Sequence, residues 1–175
     1  MTMSSRARKF ALSTHVAFSV GLLGAIAGFL ALAVAGLMSQ DAKTMSAAYI
    51  AMDLTARFVI VPLGFASLLT GLVQSLGTAW GLFRHYWVLV KLLVTVVAVA
   101  ILLLQMASIG YMASAAAARA LSSGDLFETR ISLVAHAGGG LVVLLVPLAL
   151  SVYKPRGRTR YGTRKEREQL VPAQP

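Results

Sequence analysis

Four long blocks of apolar residues, separated by short polar interruptions, account for most of the chain. They cover residues 12–38, about 47–76, 87–112 and 131–153. Each is near or above the roughly 20 residues that a tilted helix needs to cross a hydrocarbon core. Backbone amides in lipid have to find partners within their own segment, so helices are the only reading for these blocks. The pattern therefore predicts an all-α fold, a four-helix transmembrane bundle over 12–153. Residues 1–11 form a basic N-terminus. Residues 154–175 carry Pro, Gly and alternating charges without an apolar period, which predicts a basic, flexible tail.

Composition sharpens this picture. Of the 175 residues, 58% are hydrophobic and 13% charged, against about 25% charged in an ordinary soluble domain. The net charge of +10 does not signal nucleic acid, because of where the cations stand. Arg6, Arg8 and Lys9 precede the first block. Lys154, Arg156, Arg158, Arg160, Arg164, Lys165 and Arg167 follow the last, and Arg84 lies in the middle loop. Lys43, Arg119 and Arg130 are the only counterparts in the two other loops. Lys and Arg are retained on the cytoplasmic side, so both termini and the 77–86 loop are expected there. Trp80 and Trp87 flank that loop, where rings suit the interface. Anionic headgroups and the bilayer are then the expected partners.

A cleavable signal peptide is the rival reading of the start, with Ala33-Val34-Ala35 as a cleavage site. The first apolar stretch is about twice the length of a signal h-region, so an uncleaved helix is expected. The chain lacks cysteine, which excludes disulfides and thiolate metal sites.

Small residues are expected to close the bundle: Gly24 and Gly28 in the first block, Ser67, Gly71 and Ser75 in the second, Gly138, Gly139 and Gly140 in the fourth. The Gly24/Gly28 pair also permits a homodimer or contact with another membrane protein. The Gly138–Gly140 run beside His136 leaves room for a flat ligand. Pro62 and Pro147 lie inside spans and should bend them.

Ionisable and amide groups within spans are the functional candidates, since placing them there costs a few kcal/mol. Asp53 and Arg57, four apart, can pair. Gly64, Ser67, Gly71 and Gln74 continue that face at helical spacing, so it is expected to look into the bundle. Depth sorts the candidates into an inner group of His15, Gln74 and Lys91, with His85 at its edge, and an outer group of Asp53, Arg57, Gln105 and His136. His15 and His136 lie near opposite faces, which makes them poor partners in one bis-histidine haem. Histidine can ligate haem or move protons. Met38, Met45, Met52, Met106 and Met112 gather toward the outer side. With His136, these thioethers make a weak copper(I) site. Helix-to-helix fastening is the bland reading of every one of these residues. No phosphate loop, hydrolase elbow or HExxH zinc motif is present.

The stretch Thr78 to Leu93, TAWGLFRHYWVLVKLL, together with the early Thr14-His15, resembles a bacterial, actinobacterial-type family of four-helix integral membrane proteins of unknown function. More distantly the chain is similar to the superfamily of CopD-type copper-resistance membrane proteins and HemJ-type protoporphyrinogen oxidases. His15, and Trp87 with Lys91-Leu92, stand where the HemJ-type proteins have an early histidine and a Trp-x-x-x-Lys-Leu start to a later span. The resemblance implies a b-type haem held near His15 and Lys91, with His136 a further candidate. An accessory or structural membrane component, more a non-enzyme than an enzyme, remains the leading expectation. A haem-binding or redox protein and a copper-handling protein are the alternatives.

Overall fold

The computed structural model describes residues 3–77, 81–118, 126–153, 155, 157 and 159–164. Among the described residues, four helices, Ser5–Met38, Ala42–Gly77, Tyr86–Ala117 and Phe127–Tyr153, are long and apolar enough to cross a membrane. The chain is thus an all-α, multi-pass membrane protein. At 1.5 Å per residue the 34-residue first helix is about 51 Å long, well beyond a hydrocarbon core of about 30 Å.

Local chemistry explains why three helices start ahead of their apolar blocks. Ser4 caps the first, its hydroxyl accepting from the Ala7 amide at 3.3 Å. Asp41 caps the second, accepting from the Thr44 amide at 2.9 Å and the Thr44 hydroxyl at 2.7 Å. These two bonds hold the exposed Asp41 carboxyl below its ordinary pKa, the hydroxyl bond being the larger cause. The third helix has no side-chain cap at His85. Its Tyr86 amide instead donates to the Gly157 carbonyl at 3.3 Å, which satisfies one of the four amides that a helix start leaves unpaired.

That bond belongs to a clasp. The Thr159 amide donates to the Arg84 carbonyl at 3.0 Å, so Gly157 and Thr159 exchange two backbone bonds with the middle loop. The Thr159 hydroxyl donates to the Phe83 carbonyl and accepts from the Gly162 amide. A Cβ on Gly162 would collide with the Arg84 carbonyl. Where the sequence predicts a flexible tail, the described residues of 157–164 therefore pack against the middle loop. On the other side of the loop, Met3 donates its amide to the Gly77 carbonyl at 3.1 Å. The rest of the tail lies outside the described residues.

The second helix is not uniform. Ala42–Thr55 is α, Ala56–Ile60 is a π-turn and Val61–Gly77 is α again. The Val61 amide reaches back five residues to the Ala56 carbonyl. Pro62 follows at once. It has no amide to donate and its ring crowds the carbonyl four residues earlier, and a widened turn relieves that crowding.

Packing follows chain order: the first and third helices each touch the second and fourth. The apolar core is unevenly placed. Phe29, Ala33, Tyr49, Met52, Ile109, Met112, Leu126 and Leu133 form most of it toward the end opposite the termini, and Leu22 carries it to the wall of a cavity. At the end that carries the termini, the helices part around this cavity.

Candidate functional site

The cavity has a volume of about 600 Å³ and is lined by all four helices, within the range typical of small-molecule sites. The first helix brings Arg8, Lys9, His15 and Ser19. The second brings Ser67, Gly71, Gln74 and Ser75. The third brings Trp87, Lys91 and Thr95, and the fourth Pro147 and Ser151. The inner group predicted from depth alone, His15, Gln74 and Lys91, therefore meets in one place. No Asp or Glu lines the cavity among the described residues.

His15 lies against the second helix, because Gly71 has no side chain there; an added Cβ would stand 3.1 Å from the imidazole Cε1. Its Nδ1 is 3.1 Å from the Thr70 hydroxyl. That hydroxyl gives its own proton to the Ala66 carbonyl at 2.6 Å. Its oxygen is thus an acceptor toward His15, which assigns the imidazole proton to Nδ1 and the lone pair to Nε2. Outer-shell bonds of this kind fix the tautomer of ligating histidines. One turn further along the first helix, Ser19 and Ser67 share a 2.9 Å hydroxyl bond. Ser67 is buried.

Across the cavity, the Lys91 ammonium donates to the Ser151 hydroxyl at 2.6 Å and stands 5.7 Å from the centre of the Trp87 ring. Ser151 donates in turn to the Pro147 carbonyl at 2.7 Å. Ser151 and Thr70 were not singled out in the sequence. The signal for Ser151 is its place four residues after Pro147, within back-bonding reach of a helix carbonyl. His85 stays outside the cavity, its ring 6.2 Å from that of Trp87.

The outer group does not converge. Asp53 and Arg57 pair as expected, with Nε at 2.8 and 2.9 Å from the two carboxylate oxygens, but Arg57 is half exposed. The pair sits beside Gly110 of the third helix, where an added Cβ would come within 2.8 Å of the guanidinium. Ser67 and Gly71, by contrast, face the first helix. The single polar face expected from Asp53 to Gln74 is therefore two faces, because the π-turn rotates the second helix between them. The Gln105 side-chain nitrogen is buried without a partner among the described residues. His136 is exposed, its Nδ1 bonded to the Ser132 carbonyl at 2.7 Å, and it does not line the cavity.

Met52 and Met112 are fully buried in the core, with Met45 and Met106 against it, while Met38 is exposed. Among the described residues no group of three or more His, Asp or Glu is placed to hold a metal ion. Gly24, Gly28, Gly138, Gly139 and Gly140 meet nothing within 4 Å of an added Cβ, so they do not close the bundle as expected. Tyr49, passed over in the sequence, is 1% exposed. Its ring lies where a Cβ on Gly36 would come within 2.9 Å.

Comparison with models of protein families, with curated proteins and with solved structures finds no match for this chain.

Proposed function

We propose that this membrane protein binds a small, largely apolar cofactor in the cavity between its four helices, and that b-type haem is the cofactor to test first. One observation carries the reading: His15 and Lys91, placed on different helices, line the same cavity. The donor set suits haem. His15 would hold the iron through Nε2, with Nδ1–H held by Thr70. Arg8, Lys9 and Lys91 would take the acidic substituents. A haem there would supply one-electron chemistry, while the chain's part is to orient the imidazole, exclude water with apolar walls and neutralise negative charge. On the charge pattern of the flanks, the cavity opens toward the cytoplasm.

The test is a reduced-minus-oxidised visible spectrum of protein purified from haem-replete cells, with iron measured on the same sample. A near-stoichiometric b-type signal that His15→Ala abolishes is the expected result. A colourless, iron-free protein overturns it.

One observation favours a second reading, an accessory or structural component. The His15–Thr70 bond joins the first and second helices, and the Lys91–Ser151 bond joins the third and fourth. If fastening is their whole role, His15→Ala and Lys91→Ala lower bundle stability and bind no less of any chromophore than the parent protein.

A further inference from the structure

Lys91 is a cation inside a membrane-spanning helix, and no carboxylate among the described residues lines the cavity beside it. Its ammonium has three donors. The structure supplies one acceptor, the Ser151 hydroxyl, and the face of Trp87. Arg8 and Lys9 stand in the same wall, and no carboxylate lines the cavity among the described residues. A charge removed from water is stable when it is paired and hydrogen-bonded, and an intramembrane lysine ordinarily meets an acidic side chain or a backbone carbonyl. Among the described residues, the cavity therefore lacks one component, a negative charge within reach of the Lys91 ammonium.

The walls describe the rest of the missing molecule. Leu12, Val16, Leu23, Leu92, Leu144 and Leu148 make most of the lining apolar. We propose that the cavity takes an amphiphile with a carboxylate head, the head seated at Lys91 and Ser151 and the apolar body running along the wall toward the core. Trp87 covers one side of the ammonium, which directs its donors inward. This rests on the cavity being a binding site but not on the occupant being haem. A long-chain fatty acid and a porphyrin propionate present the same chemistry to Lys91.

The experiment compares matched pairs of probes on the purified full-length protein in neutral-lipid nanodiscs. One pair is hexadecanoate and hexadecanol, the other protoporphyrin and its dimethyl ester. A charge-assisted hydrogen bond in this setting corresponds to a preference of about ten- to a hundredfold for the acid. Lys91→Met, which keeps the length of the side chain and removes the charge, is expected to abolish that preference. Lys91→Arg is expected to keep it. A preference in the first pair identifies an acyl chain as the source of the carboxylate, and one in the second pair alone identifies a tetrapyrrole.

Equal affinity for acid and neutral partner in both pairs overturns the proposal, and this comparison needs only the wild-type protein should Lys91→Met fail to fold. A preference that survives in a folded Lys91→Met protein overturns it as well. Haem bound at full occupancy with no preference in either pair sinks this proposal and leaves the haem reading standing. A Lys91-dependent preference for hexadecanoate in a colourless protein does the reverse.

Discussion

Replacing Tyr49 with phenylalanine should make the protein more stable. The Tyr49 ring is 1% exposed, and its hydroxyl is buried with no hydrogen-bond partner among the described residues. Leaving a hydroxyl unpaired in an apolar surrounding costs about 1–3 kcal/mol. Phenylalanine keeps the ring and its place against Gly36. It also keeps the contact with Arg130, whose guanidinium carbon lies 5.9 Å from the ring centre. A weaker cation–π attraction at phenylalanine returns roughly 0.5 kcal/mol. The net gain is about 1–2 kcal/mol, or close to tenfold in the folding equilibrium constant. Reversible unfolding in mixed micelles, followed by far-ultraviolet circular dichroism, reads this directly. A Tyr49→Phe protein less stable than its parent by about 1 kcal/mol would refute the reasoning, because such a loss requires a paired hydroxyl.

Gly36→Ala should cost about 1–3 kcal/mol in the same assay, because the new methyl meets a rigid ring at 2.9 Å; combining it with Tyr49→Leu should recover most of the loss. The Asp41 cap is stabilising while the carboxylate is ionised. Its folded pKa is depressed, so the contribution is complete above the ordinary carboxylate pKa and disappears as pH falls through the lower folded value. Asp41→Asn should remove that acid-side dependence from a pH series of melting temperatures. Gly162→Leu should release the clasp, since any Cβ there strikes the Arg84 carbonyl. The Tyr86 and Thr159 amides, bonded across the clasp to the Gly157 and Arg84 carbonyls, should then exchange with deuterium several-fold faster, and an unchanged rate would show that the clasp does not hold the loop.

The spans were legible because their apolar runs are long and their interruptions charged. The helices overrun those runs for local reasons. Ser4 and Asp41 cap the first and second ahead of the apolar residues, and the alanine-rich 113–117 has the propensity to extend the third. The meeting of His15, Gln74 and Lys91 was legible too, since counting residues along antiparallel helices gives depth. What periodicity could not supply was direction around the helix axis. It could not tell that Lys91 would find Ser151, that Tyr49 would sit behind Gly36, or that Gly24, Gly28 and Gly138–Gly140 would remain uncovered. Those outcomes depend on how four helices rotate against one another, and in the second helix the turn at 56–60 resets that rotation.

That turn is best understood as arithmetic. A residue advances an α-helix by about 100°, so a five-residue π-turn contains one residue more than an α-turn would. Deleting a single residue from 56–60 would leave the composition and the hydropathy profile of the second span almost unchanged. It would also leave everything beyond Val61 close to its present orientation, because an α-turn covers nearly the same rotation with one residue fewer, so Ser67 would keep Ser19 and Gly71 would keep His15. Among homologous chains, a one-residue gap here would mark an unbroken α-helix around the same cavity, whereas a turn closed to α with no residue lost would swing the half beyond Val61 by roughly 100° and undo it.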